Sequence, residues 1–297
     1  MAPCYGLRVR KLTARTEEAK TAMAFLETEH TGRGMKLTKP LVMKLAETRI
    51  DPRGMRGLLD ALGVTEAGAR RFLEMPDNAE TLIEIAGRLC YESFEVGLNP
   101  NVTKIRGSNK AYVENILRKG DGSVVEHGTV SFAFLNVSRI LTHELVRHRV
   151  GVAISQESLR YVRLREIKMW LPDELSDDQK EAMIRGAKQS EEAYLNLCES
   201  VPWDKMNMEQ KKRMTSALRR ILPDGLATNV IWTANHRTIR WVVEMRTDPS
   251  AEIEIRMLFD QVGEICKREY PNMYQDFERV ELPDGTGSWK PTFRSKI

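Results

Sequence analysis

The alternation of apolar and polar positions is clearest in residues 124–163. Val130, Phe132 and Phe134 recur at every second position, which predicts a strand with one apolar face. A helix should follow, because the next apolar side chains recur at helical spacing: Val137, Ile140, Leu141 and Leu145. Gly151 suits the end of that helix.

The rest of the chain predicts many helices around a small sheet. Further strands are expected at 41–50 and 230–234. Helices are expected at 53–62, 65–75, 108–120, 176–200, 208–220 and 235–246, and also from Asn78 and from Ser250. In the helix from Asn78, the expected buried face is Leu82, Ile85, Ala86 and Leu89. This mixture favours an α+β fold with a small mixed or antiparallel sheet.

Residues 76–78, Pro-Asp-Asn, form the best candidate for a domain boundary, because this sequence suits both a turn and a helix start. Residues 12–30 have the pattern of an amphipathic helix, but no chemical motif occurs before the boundary. We therefore interpret residues 1–75 as an extension of unknown role and residues 76–297 as the functional domain.

Composition is typical of a globular protein of the cytoplasm. The 297 residues include 41% hydrophobic and 30% charged residues, and no apolar run is long enough to span a membrane. The 4 cysteines are scattered, which is typical of reduced thiols rather than of disulfides or a zinc site. The net charge of +4 is mild and aromatic residues do not alternate with basic ones, so nucleic acid is disfavoured as a partner.

Basic side chains crowd the connection after the central helix. Arg147, His148 and Arg149 are expected in its last turn, and Arg160 follows shortly afterwards. Cations favour the negative end of a helix, which accounts for one of them. The positive charges of all these side chains would repel one another unless an anion lies between them. The cluster therefore predicts a ligand that carries phosphate.

Several common chemistries do not fit the motifs. His143 and His148 lie five positions apart, or about 140° around a helix, so they cannot bind one metal ion from one face, and we expect no metal site. Ser158 lacks a GxSxG elbow and the cysteines lack activating neighbours, so neither is expected to be a nucleophile. The sequence also lacks the GxGxxG and P-loop motifs of common nucleotide-binding folds.

Motifs in a consistent order resemble those of the flavin-dependent thymidylate synthases. Arg147-His148-Arg149 and Ser158-Leu159-Arg160-Tyr161 resemble that family's Arg-His-Arg and Ser-x-Arg-Tyr signature, with one residue more between them than the family has. Further resembling segments are Glu126-His127, Arg219-Arg220-Ile221-Leu222-Pro223, and Trp232-Thr233-Ala234-Asn235-His236-Arg237 with Arg246 beyond it. The resemblance covers roughly residues 80–275 and leaves the extension out.

The resemblance implies a homotetramer whose active sites are shared between subunits and hold FAD and dUMP. It also implies methylenetetrahydrofolate as the carbon donor and NADPH as the reductant of the flavin. The product would be dTMP, formed by reductive methylation without a cysteine nucleophile. This agrees with the lack of an activated cysteine in the sequence.

Carried over position by position, the resemblance implies three roles. Arg246 is expected to be catalytic, because a guanidinium beside the uracil ring would stabilise negative charge there. The residues expected to contact FAD are Ser123, Arg147, His148, Arg149, Asn235, Arg237 and Trp241, the last in place of a polar residue. Those expected to hold dUMP are Glu144, Arg147, Gln156, Glu157, Ser158, Arg160, Arg219 and Arg246, with Arg160 and Arg219 on its phosphate.

Departures from the family pattern leave the identity of the pyrimidine substrate open. Because of the extra residue before Ser158, either Gln156 or Glu157 stands for the family's glutamate. Glu144 replaces a glutamine, and a carboxylate donates no hydrogen bond unless it is protonated. A cytosine nucleotide such as dCMP is therefore an alternative substrate to dUMP. Another alternative is a relative that binds nucleotide or RNA without catalysis, which the extension and the basic pI suggest.

Overall fold

Helices and short strands alternate along the part of the chain that the structure describes, residues 35–293 with the backbone of residues 29–30. In this computed structural model the strands are β1 (Glu29–His30), β2 (Lys36–Leu37), β3 (Leu41–Glu47), β4 (Thr129–Ser138), β5 (Val152–Gln156), β6 (Lys168–Met169), β7 (Ala227–Asn235), β8 (Phe277–Glu281) and β9 (Gly287–Pro291). The helices are α1 (Pro52–Ala61), α2 (Glu66–Leu73), α3 (Ala79–Leu89), α4 (Asn109–Lys119), α5 (Gly122–Val125), α6 (Arg139–Leu145), α7 (Asp177–Glu199), α8 (Met208–Leu218), α9 (His236–Arg246) and α10 (Ile253–Glu269). The predicted α+β fold is confirmed.

Four strands form the central antiparallel sheet, in the order β3-β4-β7-β5. On its covered face, Phe132, Phe134 and Trp232 are fully buried and stack on one another. Phe259 of α10 packs edge-on against Phe134 and Trp232. The predicted strand with one apolar face is therefore confirmed, and its aromatic side chains form the centre of the core.

The opposite face of this sheet leaves apolar side chains exposed. Leu45 on β3 is 53% exposed and Ile231 on β7 is 47% exposed. Between them, Met43 pairs with Ala133, and Ala133 pairs with Ile231 across β4 and β7. The sheet therefore presents an apolar surface that the single chain leaves partly uncovered.

A buried carboxylate fixes the junction between β4 and α6. Glu254 accepts a hydrogen bond from the backbone N–H of Ser138 at 2.6 Å and another from the Ser138 hydroxyl. Ser138 Oγ in turn accepts from the backbone N–H of Leu141 at 3.0 Å and so caps α6. Burial raises the pKa of Glu254 to about 7 although these hydrogen bonds oppose the shift.

The helix after the central strand is shorter than its apolar pattern predicts. Val137 still belongs to β4, Ile140 is exposed, and α6 ends at Leu145. Arg147–Arg149 therefore lie in a turn beyond α6 instead of in its last turn. The prediction was wrong at both ends: the buried carboxylate described above sets the start of the helix at residue 139, and the chain leaves the helix after Leu145. Gly151, at φ 67°, lies after this turn rather than at the end of the helix.

Helix α3 buries a polar pair that its apolar spacing does not indicate. Ile85 is buried as predicted, but Leu89 is exposed, whereas Glu84 and Arg88 are fully buried. Arg88 Nε donates to Glu84 Oε1 at 2.8 Å, and Arg71 of α2 donates to the same oxygen at 3.1 Å. The charged side chains can face inward because they neutralise each other there.

Most predicted helix starts agree with the structure, because each rests on a local cap. Thr65, Ser108, Ser176 and Asn235 cap α2, α4, α7 and α9. The last helix differs: Glu252 caps α10 in place of the predicted Ser250, since its carboxylate accepts from the N–H groups of Glu254 and Ile255. Residues 12–28 of the predicted helix at 12–30 lie outside the described residues. The last two residues of that prediction, Glu29–His30, form a strand instead.

The division at residue 76 stays a prediction. The structure adds that elements before residue 76 contact elements after it. Strand β3 pairs antiparallel with β4, and helices α1 and α2 pack on α3. This packing uses a separate apolar cluster: Met55, Leu59, Val64, Ala69, Phe72, Ile85 and Phe94. No helix within residues 35–293 has the length and apolar character needed to cross a membrane.

Removing the carboxylate of Glu84 tests the buried pair. We expect Glu84→Ala to lower the free energy of unfolding by roughly 3–5 kcal/mol, because Arg88 is left buried without a counter-charge. The matched control is Glu114→Ala, whose exposed partner Arg118 also lies four positions further along a helix. That change should cost less than about 1 kcal/mol. Urea unfolding followed by circular dichroism measures both, and equal losses would contradict the prediction.

Candidate active site

Three of the predicted flavin-binding residues line one cleft. Asn235, Arg237 and Trp241 come from the end of β7 and the first turns of α9, so a single strand-to-helix junction positions all three. The cleft has a volume of about 490 Å³. Its other lining residues are Glu126, Val150, Thr238 and Met245.

The turn after Arg149 is packed closely against this junction. Asn235 Oδ1 caps α9 by accepting from the N–H of Thr238 at 2.9 Å, and Thr238 Oγ1 donates to the carbonyl of Val150 at 2.8 Å. A Cβ atom at Gly151 would come within 2.3 Å of Asn235 Nδ2. Only glycine therefore allows the turn to approach the cleft this closely.

An exposed ion pair borders the cleft. Arg237 Nη1 donates to Glu126 Oε1 at 2.5 Å, and both side chains are well exposed. Exposed pairs of this kind contribute little stability, so an anionic ligand can replace the carboxylate beside Arg237.

Arg246, the predicted catalytic residue, forms a cluster with two other predicted site residues. Its Nε donates to His148 Nε2 at 2.7 Å, and its Nη1 donates to Glu144 Oε2 at 2.6 Å. Nη2 also donates to the backbone carbonyl of Glu144 at 3.2 Å. The end of α9, the end of α6 and the turn after α6 therefore meet at one guanidinium group.

His148 is neutral in this cluster. Burial, together with the positive charges of the neighbouring Arg246 and Arg147, lowers its pKa to about 4. Because Nε2 accepts from Arg246, the ring proton lies on Nδ1. Nδ1 is buried and has no hydrogen-bond partner in the part of the chain that the structure describes. Trp241 packs edge-on against the ring, with 5.0 Å between ring centroids.

The start of α6 carries a candidate site residue that the sequence analysis missed. Arg139 is partly buried, donates to the carbonyl of Glu157 at 3.3 Å, and has a buried Nε without a partner among residues 35–293. Burial lowers the pKa of Arg139, and so does the nearby charge of Arg219. A cation at a helix N-terminus is unfavourable because it opposes the helix dipole. This signal would have pointed to Arg139 if the start of the helix had been predicted correctly.

Gln156 and Glu157 face different neighbours at the end of β5. Gln156 Nε2 lies 3.5 Å from Thr142 Oγ1 of α6, whereas Glu157 Oε2 accepts from Asn229 Nδ2 at 3.2 Å. Successive residues of a strand point to opposite faces, which explains the difference. Ser158 Oγ accepts from the N–H of Arg160 at 3.3 Å and stabilises the turn that follows.

The remaining predicted residues are not brought into the cleft. Arg147, Arg149 and Arg160 are exposed. Ser123 lines a second cavity, whereas Glu126, which follows α5 directly, lines the cleft. Among residues 35–293, no group of three His, Cys, Asp or Glu side chains is arranged to hold a metal ion.

Known proteins resemble the chain over this same region. A family model described as thymidylate synthase complementing protein matches residues 71–272. Flavin-dependent thymidylate synthase of Mycolicibacterium vanbaalenii is 35% identical over 216 residues, which cover 71% of this chain and 84% of that protein. The enzyme of the same description from Corynebacterium aurimucosum is 31% identical over 220 residues, which cover 72% and 86%.

A solved structure shares the fold. The UMP/dUMP methylase PolB from Streptomyces cacaoi, bound with 5-Br dUMP, superimposes with a TM-score of 0.56. The match covers 80% of this chain and 95% of that one, at 15% sequence identity. At this identity, the likeness concerns the fold alone.

The pKa of His148 tests the geometry of the Arg246 cluster. In NMR titrations, the wild-type ring should titrate near pH 4. Arg246→Ala should move the midpoint upward, because it removes a positive charge and lets water reach the ring. Arg213→Ala removes an exposed arginine on α8 and should leave the midpoint unchanged. A midpoint that is the same in all three proteins would contradict the cluster.

Proposed function

Because the chain belongs to the flavin-dependent thymidylate synthases and is a methyltransferase of that family, we propose that it converts dUMP into dTMP. Methylenetetrahydrofolate is the carbon donor, NADPH reduces bound FAD, and no cysteine acts as nucleophile. The observation that carries the proposal is the cluster of Arg246, His148 and Glu144 beside the cleft lined by Trp241.

The cleft fits a flavin. Asn235 offers an amide and Trp241 an aromatic surface. Arg237 offers a cation whose exposed partner, Glu126, an anionic ligand can replace. The unpartnered Nδ1–H of His148 is a buried donor that lacks an acceptor among the described residues, and the carbonyl-rich edge of a flavin is a suitable one. When bound, FAD supplies the hydride-transfer chemistry that the side chains of this protein lack.

Arg246 supplies the electrostatic contribution to the reaction. Its guanidinium is only slightly exposed and is oriented by Glu144 and by neutral His148. Placed beside the uracil ring, it stabilises negative charge on the ring and so makes C5 more nucleophilic. A preoriented charge in a partly dehydrated site is effective because it needs little reorganisation.

The phosphate of dUMP binds near the start of α6. Arg139 and Arg219 lie close enough for their charges to interact, and the phosphate compensates that repulsion. Arg160 completes the group from the turn after Ser158. Arg147 and Ser158 contact the nucleotide from the same connection.

Glu144 orients the catalytic arginine. One carboxylate oxygen and the backbone carbonyl of Glu144 both accept from Arg246. This role needs no amino group on the pyrimidine, so it is compatible with dUMP as the substrate.

The site is completed by neighbouring subunits of a homotetramer. The apolar sheet face around Leu45 and Ile231 is a suitable subunit interface. Exposed Arg147, Arg149 and Arg160 are available to ligands that a second subunit helps to hold. Light scattering decides the assembly, since a monomeric mass at micromolar concentration would rule it out.

The absorbance spectrum and product of the purified protein test the function. We expect flavin absorbance, or its appearance after reconstitution with FAD, and dTMP formation from dUMP, methylenetetrahydrofolate and NADPH. Assays with dCMP in place of dUMP test the alternative pyrimidine. Protein that cannot bind FAD but binds RNA with a steep dependence on salt would instead support the non-catalytic relative.

Replacing Arg246 tests its catalytic role. Arg246→Ala should lower kcat about 10²–10³-fold, the effect typical of losing one group that stabilises charge in a transition state. Flavin content should change little, because other residues hold FAD. Arg213→Ala is again the control, with unchanged kcat. A fully active Arg246→Ala enzyme would remove the assigned role.

A further inference from the structure

The hairpin of β8 and β9 packs against the helix that carries Arg246. Its strands, Phe277–Glu281 and Gly287–Pro291, pair antiparallel and lie after residues 71–272, which the family model matches. Strand β9 contacts both α9 and α10, and Arg246 is the last residue of α9. The hairpin therefore lies where it can fix the end of α9.

A buried carboxylate anchors the hairpin on α10. Asp260 accepts from Arg279 Nε at 2.9 Å and from Arg279 Nη2 at 2.8 Å. The same carboxylate accepts from the backbone N–H of Gly287 at 2.7 Å and from the indole N–H of Trp289 at 2.8 Å. The indole lies directly on Gly263, where a Cβ atom would come within 2.6 Å of Nε1. Because hydrogen bonds to a charged acceptor are the stronger kind, both strands are held in one orientation on α10.

The hydroxyl of Thr247 links β9 to the last turn of α9. Thr247 is fully buried and follows Arg246 directly. Its Oγ1 accepts from the backbone N–H of Trp289 at 2.8 Å and donates to the carbonyl of Val243 at 2.7 Å. A hydroxyl has one proton and also accepts, so it makes both bonds at once. Valine has nearly the same shape and makes neither.

The position of this turn determines whether Arg246 reaches its partners. Arg246 donates to His148 Nε2 at 2.7 Å and to Glu144 Oε2 at 2.6 Å. Since such bonds weaken beyond about 3.2 Å, a shift of the turn by about 1 Å would separate the guanidinium from both acceptors. A second contact of β9 with the turn, from Lys290 Nζ to Asp248 Oδ2 at 3.5 Å, is exposed and contributes little.

We propose that the hairpin of β8 and β9 positions Arg246 through the hydroxyl of Thr247, which makes Thr247 a positioning residue. Its effect on turnover rests on the proposed function, in which Arg246 stabilises charge on the pyrimidine ring. The hairpin holds Thr247, and Thr247 holds the end of α9. The guanidinium is thereby oriented before the reaction and needs little reorganisation during it.

Replacing the Thr247 hydroxyl tests this link. Thr247→Val should lower kcat for dTMP formation about tenfold, less than Arg246→Ala does, because the guanidinium is displaced but still present. In NMR titrations of the same variant, the midpoint of His148 should rise above its wild-type value near pH 4, because Arg246 no longer lies against the ring. Thr247→Ser keeps the hydroxyl and should restore both values.

The matched control is Thr215→Val. Thr215 is also buried, and its hydroxyl donates to the carbonyl of Lys211 within α8 at 2.9 Å, just as Thr247 donates within α9. The control should lose a comparable amount of stability in urea unfolding and keep the wild-type kcat and His148 midpoint. If Thr247→Val also loses only stability and keeps both values, the hairpin has a purely structural role and the proposal is overturned.

Trp289→Phe provides the test if Thr247→Val does not fold. This change keeps the backbone N–H that reaches Thr247 but removes the indole donor to Asp260, so it loosens the hairpin. We expect a smaller rise of the His148 midpoint in the same direction. An unchanged midpoint in this variant would overturn the proposal.

The titration of His148 needs no turnover, so it separates this proposal from the proposed function. A raised midpoint in Thr247→Val, combined with wild-type protein that forms no dTMP, would support the positioning of Arg246 and contradict the proposed function. Active wild-type protein, combined with an unchanged midpoint in Thr247→Val, would contradict the role of the hairpin alone.

Discussion

The hydrogen bonds from Ser138 to the buried carboxylate of Glu254 determine where β4 ends and α6 begins. Arg139 consequently occupies the first position of α6 and Glu144 lies near its end. Ser138 and Glu254 are 116 positions apart in the chain, and the helix start depends on their contact. Both ends of the candidate site therefore depend on the packing of α10 against the central sheet.

The same packing keeps positive charge available to ligands. His148 accepts from Arg246 without adding a charge of its own, because burial holds it neutral. Arg139 and Arg219 remain close enough for their charges to repel each other. This repulsion costs stability in the free protein. A bound phosphate would compensate that cost, which is why such clusters indicate binding sites.

Features set by neighbouring residues were predictable. The alternation of Phe132 and Phe134 predicted the central strand, and caps such as Thr65 and Asn235 predicted helix starts, because a cap bonds within its own first turn. Apolar spacing failed for α3, where Arg88 is buried only because the carboxylate of Glu84 and the carbonyls of Ser93 and Arg106 accept its hydrogen bonds. It also failed for α6, whose first residue depends on a distant carboxylate.

The motifs in the sequence already indicated the family and the kinds of side chain at the site, since residue type and spacing are local properties of a chain. Which of these side chains meet depended on the fold. The junction of β7 with α9 brings Trp241 onto His148, and the end of α9 brings Arg246 onto Glu144. The fold also places Ser123 in a second cavity and not in the cleft lined by Trp241. Contacts between residues about a hundred positions apart follow from sheet register and helix packing, which no local pattern encodes.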